Sequence, residues 1–204
     1  MTAEVSAKPL GRQAQRIQTR QRVYNAAIAE FKRAGVADAD IGAIISTAGV
    51  ARGTFYFHFP SKEHVLEEVE RELVQRLAAD LTRFLESPHD LWATLSEVVR
   101  LVVAGESRLG IKLFRDVLAL HFSQTRPPGY GKPTEHPLVA LVAGEITRAR
   151  ESGEVFAEAD PPSSALFFLL GVYSLLVTNH DTKAARSRVL DEFVASTRRG
   201  LQAR

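Results

Sequence analysis

The strongest constraint on this chain is a repeat of apolar residues. Val65, Leu66, Val69, Leu73, Leu77, Leu81 and Phe84 recur at helical spacing with charged residues between them, a stripe that only a long helix can bury along one side. Val23, Ala27, Ile28 and Phe31 repeat the pattern nearer the N-terminus. No segment alternates convincingly at period two, so β structure is expected to be negligible. Punctuation divides the rest. Residues 1–11 carry Pro9 and Gly11 without an apolar period and read as a flexible arm. Helices are expected from Arg12 to Ala34, over Ile41–Ala48, from Ala51 to about His58, and from Ser61 to near Ser87-Pro88. Further helices follow over Leu91–Ala104, about Leu109–Phe122, Leu138–Arg150, Pro161–Thr178 and Ala184 to about Leu201, with residues 123–136 as one Pro- and Gly-rich loop. The expected fold is all-α, about nine helices, with a small N-terminal unit over residues 12–62 and a larger helical body over 63–204.

Charge separates these parts. Residues 1–62 hold nine Lys/Arg and four acids, a net +5, while the remainder sums to −3. A basic N-terminal third points to an anionic partner, and charge alone leaves open nucleic acid, a membrane surface or a merely solvated helix face. There are no cysteines, which excludes disulfides, thiolate metal sites and cysteine nucleophiles. No secretory signal is visible, and the longest apolar stretch, Ala165 to Val177, falls short of the about 20 residues of a bilayer span. The expected location is cytoplasmic, associated with the nucleoid, with no membrane partner.

Asp40 to Lys62, DIGAIISTAGVARGTFYFHFPSK, carries the chemistry. Two short helices around a glycine turn, preceded by a longer amphipathic helix, form a helix-turn-helix unit. Asp38 and Asp40 offer N-cap oxygens, Ile44, Ile45 and Ala48 can pack the first short helix, Gly49 supplies a positive-φ turn, and Val50 and Phe55 point inward. In this motif the start of the second helix reaches base edges. Arg52 can donate in bidentate fashion to guanine, the Thr54 methyl can meet a thymine methyl, and Gly53 permits close backbone approach. Tyr56, His58 and Lys62 are candidate phosphate contacts. Tyr56 can equally pack on the first helix and His58 can equally cap a helix end, while Phe55, Phe57 and Phe59 read as core.

The run AGVARGTFYFHFPSKE, behind a basic helix and ahead of a helical body, resembles the tetracycline-repressor (TetR) family of bacterial transcriptional regulators over roughly residues 13–66. The resemblance implies a DNA-binding domain over 12–62 and an effector-binding and dimerisation domain over 63–204, with no catalytic residues, no metal and no cofactor. It implies a double-stranded DNA operator as partner and a largely apolar small-molecule effector that releases a repressor. A ligand-dependent activator or a regulator needing a co-repressor is the alternative. One departure stands out: where many relatives carry a basic phosphate-contacting residue, this chain has Gly42. Arg16 and Arg20, with Arg12 and Arg22, are the reserve of charge.

Within the body, Phe84, Trp92, Phe114, Leu118 and Phe122 can line an apolar cavity, with His121 and Tyr173 as polar groups among them. Each taken alone reads equally as plain helical core. Arg115, Asp116 and Asn179 are further polar candidates, the first two equally placed as surface charges. The run ALFFLLGVYSLLV and the final helix's Val189, Leu190, Phe193, Val194 and Leu201 suggest a homodimer through the last two helices. Two reading heads then require a near-palindromic operator with half-sites ~34–36 Å apart or a multiple of that. Rival classes have weaker support. No nucleophile elbow, zinc-binding His pair or Rossmann fingerprint argues for an enzyme, and the Gly129–Thr134 run lacks the upstream glycine of a phosphate loop. Modest net charge and a large apolar body argue against an architectural DNA-coating protein.

Overall fold

A computed structural model describes residues 8–121, 136–178 and 182–203. Nine α-helices account for most of these residues: α1 (Lys8–Ala34), α2 (Ile41–Ala48), α3 (Arg52–His58), α4 (Lys62–Leu85), α5 (Leu91–Leu109), α6 (Ile111–His121), α7 (Pro137–Glu151), α8 (Pro161–Thr178) and α9 (Lys183–Leu201). One isolated antiparallel bridge, Val155 to Gln202, is the extent of β pairing among the described residues. The expected all-α class therefore holds. Two compact units emerge: Met1–Val69 with Leu109–Val117, and Glu70–Arg108 with Leu118–Arg204.

In the first unit, α1 starts at Lys8 and so takes in residues 8–11, which sequence assigned to the arm. Pro9 costs little there, because the first turn of a helix has no intrahelical acceptor for its N–H groups. The helix stops at Gly35, whose φ of 89° suits a residue without Cβ. Its end is held by α6: Asp116 Oδ2 accepts from the Val36 backbone N–H at 2.7 Å, and Lys112 Nζ donates to the Arg33 carbonyl at 3.0 Å. Asp116, a candidate polar lining group of the body, is thus occupied with the end of α1. The core of this unit comprises Val23, Ala27, Phe31, Ile44, Phe55, Phe59 and Val65, all essentially inaccessible.

In the second unit, α5 runs five residues past the expected stop at Ala104. Gly105 does not end it. A Cβ there would stand 2.9 Å from a Leu73 methyl, so the glycine lets α4 and α5 approach closely. The same device joins α8 to α9, where a Cβ on Gly171 would collide with the Phe193 ring at 2.2 Å. Phe193 instead stacks on Phe168, centroids 5.6 Å apart. Arg186 on α9 reaches the buried Glu106 of α5 at 2.6 Å.

Candidate nucleic-acid interface

Helix α2 is defined at both ends by local chemistry. The Asp40 carboxylate accepts from the Gly42 N–H at 2.7 Å, and Gly49, at φ 62° and ψ 46°, turns the chain while its N–H reaches back to the Ile45 and Ser46 carbonyls. At Gly42 a Cβ would lie 3.1 Å from that capping carboxylate, so a larger residue there would require the Asp40 side chain to give by a few tenths of an ångström. Ile44 and Ala48 face inward. Helix α3 follows after Val50 and Ala51 and is pinned by Phe55, which is fully buried, and by Phe59, whose N–H donates to the Phe55 carbonyl at 2.8 Å.

Burial of Phe55 leaves the rest of α3 outward. Arg52, Gly53, Tyr56 and Phe57 are exposed, and Thr54 and His58 are half-buried. Phe57 is the surprise: expected in the core, it is 65% exposed. A helix of seven residues turns a side chain by about 100° per position, so with Phe55 inward its second neighbour points away. Two guanidinium groups lie against these exposed rings. Arg52 Cζ is 5.9 Å from the Tyr56 centroid, and Arg16 Cζ, from α1, is 5.0 Å from that of Phe57.

Other predicted phosphate contacts are already engaged. Arg20 makes a two-pronged pair with the Glu68 carboxylate and lies 4.5 Å over the Phe59 ring. Lys62 Nζ donates to the carbonyls of Ala37 and Ala39 at 2.8 and 3.2 Å, fastening the α1–α2 connection. His58 is pushed below its ordinary pKa by burial first and then by Arg16 and Arg20, so its imidazole is neutral at pH 7. Ser61 Oγ and His64 Nδ1 lie 2.9 Å apart at the start of α4, the imidazole standing where a capping box would place a carboxylate.

A glycine-turned pair of short helices, buried through Ile44 and Phe55 and exposing Arg52 and Tyr56 with Thr54 half-buried between them, is the geometry of a helix-turn-helix unit. Residues 23–69 match the family described as bacterial regulatory proteins, tetR family. This segment is a tetR-family domain. The transcriptional regulator SrpR of Pseudomonas putida is 42% identical to it over 65 residues, 32% of this chain and 30% of SrpR. The A-factor receptor protein of Streptomyces griseus is 25% identical over 183 residues, 88% of this chain and 62% of the receptor. The chain thus spans less than two thirds of either relative's length. A structure solved for the molecular basis for control of antibiotic production by bacterial hormones shares the fold, with a TM-score of 0.70 at 22% identity over 92% of this chain and 99% of that one.

The candidate effector residues are less concentrated. Phe84 is half-buried and lines an open groove of about 450 Å³ with Leu101, Ala104, Asp80, Arg83 and Arg100, among others. Trp92, Leu118 and Tyr173 are buried and do not line that groove, and Arg198 stacks on Trp92 at 5.3 Å. Burial, and then the charge of Glu70, push the Tyr173 phenol well above its ordinary pKa. Phe114 is fully buried and belongs to the first unit, whereas Trp92, Leu118 and Tyr173 belong to the second. Phe122, Asn179, the Gly129–Thr134 run and the His121 side chain lie outside the described residues.

Proposed function

We propose that this chain is a sequence-specific DNA-binding regulator, not an enzyme, and that it represses from a near-palindromic operator until a small molecule releases it. The observation that carries the reading is α3: a helix too short to stand alone, held by Phe55, with Arg52, Gly53, Thr54 and Tyr56 presented at its start. Arg52 reads guanine through its N–H fork, Thr54 offers its methyl group, and Tyr56 and His58 meet the backbone. Lys62 holds the loop before α2 and contributes its charge from there. The A-factor receptor, similar over most of the chain, supports a ligand-responsive body, which occupies residues 63–204.

The two-fold partner is a second copy of the chain. Helix α8 is 18 residues long with a mean hydropathy of 1.5, and only 39% of it is buried, so by length and composition it is also apolar enough to cross a membrane. Phe167 at 67% exposure and Leu170 at 37% lie on the face away from Phe168 and Leu169. A helix packed on α9 through Gly171 and Phe168 is read more simply as half of a four-helix subunit interface. The chain then acts in the cytoplasm on the nucleoid.

Helix α4 contributes its residues up to Val69 to one unit and those from Glu70 to the other. An effector that favours one setting of α4 alters the spacing of the two reading heads and releases DNA. Selection of bound duplexes from a random pool by the purified protein tests the reading: an enriched palindrome is expected, and no enrichment would overturn it. Spin labels at the two Thr54 positions test the release step, which fails if an effector that weakens DNA binding leaves their separation unchanged.

A further inference from the structure

Arginines 16 and 20 lie one turn apart on α1 and each faces an aromatic ring near the end of α3, yet their guanidinium groups are committed differently. Arg20 has its N–H edge occupied by Glu68 and its face on Phe59. Arg16 lies over Phe57, its Cζ 5.0 Å from the ring centroid, and among the described residues its N–H groups meet no carboxylate. The distinction matters because a guanidinium donates in its own plane. Stacking on a ring leaves the donors available, whereas a bidentate carboxylate consumes them.

Phe57 itself has no packing reason to be aromatic. It is 65% exposed, and its other close ring is that of His58 at 5.1 Å. His58 is neutral at pH 7, so the positive charge at this end of α3 comes from Arg16 and not from the imidazole.

We propose that Phe57 is a positioning residue, a platform that holds the Arg16 guanidinium edge-out toward a DNA phosphate beside the bases read by α3. This rests on the DNA-binding reading above. It gives α1 a defined backbone contact in a chain whose α2 carries no basic side chain. Phe57 thereby affects affinity at every sequence alike, since a phosphate contact carries no base information.

The test uses the full chain and the duplex recovered from the random-pool selection, with affinities measured for Arg16→Ala, Phe57→Ala, the double variant, Phe57→Trp and Phe57→Leu across a salt series. Expected are a roughly 2- to 5-fold loss for Phe57→Ala, no further loss when Phe57→Ala is added to Arg16→Ala, and a salt slope shallower by about 0.9 for Arg16→Ala. Phe57→Trp should retain wild-type affinity, and Phe57→Leu, which keeps the bulk without the π face, should bind like Phe57→Ala. Losses that simply multiply in the double variant, or full affinity with leucine, would overturn the platform while leaving DNA recognition standing. A wild-type protein that recovers no duplex would overturn both. Unchanged melting temperatures for the exposed-site variants keep a folding defect from imitating the result.

Discussion

Helix α3 exposes Arg52, Tyr56 and Phe57 around a buried Phe55, whereas α8 exposes Phe167 and Leu170 around a buried Phe168 and Leu169. In both, burial changes from one residue to the next, so neighbouring side chains of the same type do opposite jobs. The difference lies in what the outward face offers. On α3 it offers donors and rings that cations cover, which suits a polar, anionic partner. On α8 it offers mainly hydrocarbon, with the hydroxyls of Ser174 and Thr178 only toward its C-terminal end, which suits an apolar partner of matching shape. Fixed donors at fixed spacing can be named from sequence, while an apolar face says only that something covers it.

The largest way to break this comparison is to exchange the inward and outward phenylalanines of α3. Phe55→Ala should destabilise the protein by about 3–5 kcal/mol, since it empties a fully buried site. Phe57→Ala, two residues on, should stay within about 0.5 kcal/mol. Urea midpoints for the pair decide the matter, and equal losses would mean that α3 is held by more than its one buried ring. On α8 the corresponding change is Phe167→Asp combined with Leu170→Asp. It should weaken the subunit interface by about 2 kcal/mol or more, converting dimer to monomer in sedimentation while helicity persists. A dimer that survives both charges would place the interface elsewhere. Smaller again is Arg52→Ala, expected to cost about 1–3 kcal/mol and to relax preference at one operator position. Unaltered preference would mean that another residue reads that base.

Why α2 was legible and parts of its surroundings were not follows from the range of the forces involved. Asp40 and Gly49 act on their own neighbours, so both ends of α2 follow from the sequence alone, and the helical periods of α4 and α8 announce themselves in the same way. Gly105 looks like a stop until Leu73, 32 residues earlier in the chain, is found against it. Arg20 reads as a phosphate contact until Glu68 is found on it, and Asp116 as a surface charge until the Val36 N–H is found 80 residues away. Phe57 is a different case. A seven-residue helix is too short for periodicity to say which of three alternating phenylalanines faces out. The effector residues were the least legible, because Leu, Phe and Trp at helical spacing line cavities and fill cores with the same side chains.

The smallest effect expected concerns whether charge as well as burial holds the reading head in place. Glu30 is buried on α1, where its carboxylate accepts from Arg33 Nε at 2.8 Å and Nη2 at 2.6 Å and from the Asp40 backbone N–H at 3.1 Å. Those bonds, the Arg33 contact foremost, pull its pKa from the ordinary 4.5 down to about 2. A carboxyl held below its unfolded value contributes stability that is present in full above pH 4.5 and is lost as pH falls through 2. Glu30→Gln keeps the shape and one acceptor but removes the charge. It should therefore lower the urea midpoint modestly at neutral pH, with the gap to the wild type closing between pH 4.5 and 2. The residue before α2 is one of the groups this carboxylate holds, so the same variant should loosen the α1–α2 connection in hydrogen exchange at pH 7 and leave α8 unaltered. A gap that stays constant through that acid window would assign the effect to hydrogen-bond geometry and remove charge from the account of how α2 and α3 are positioned.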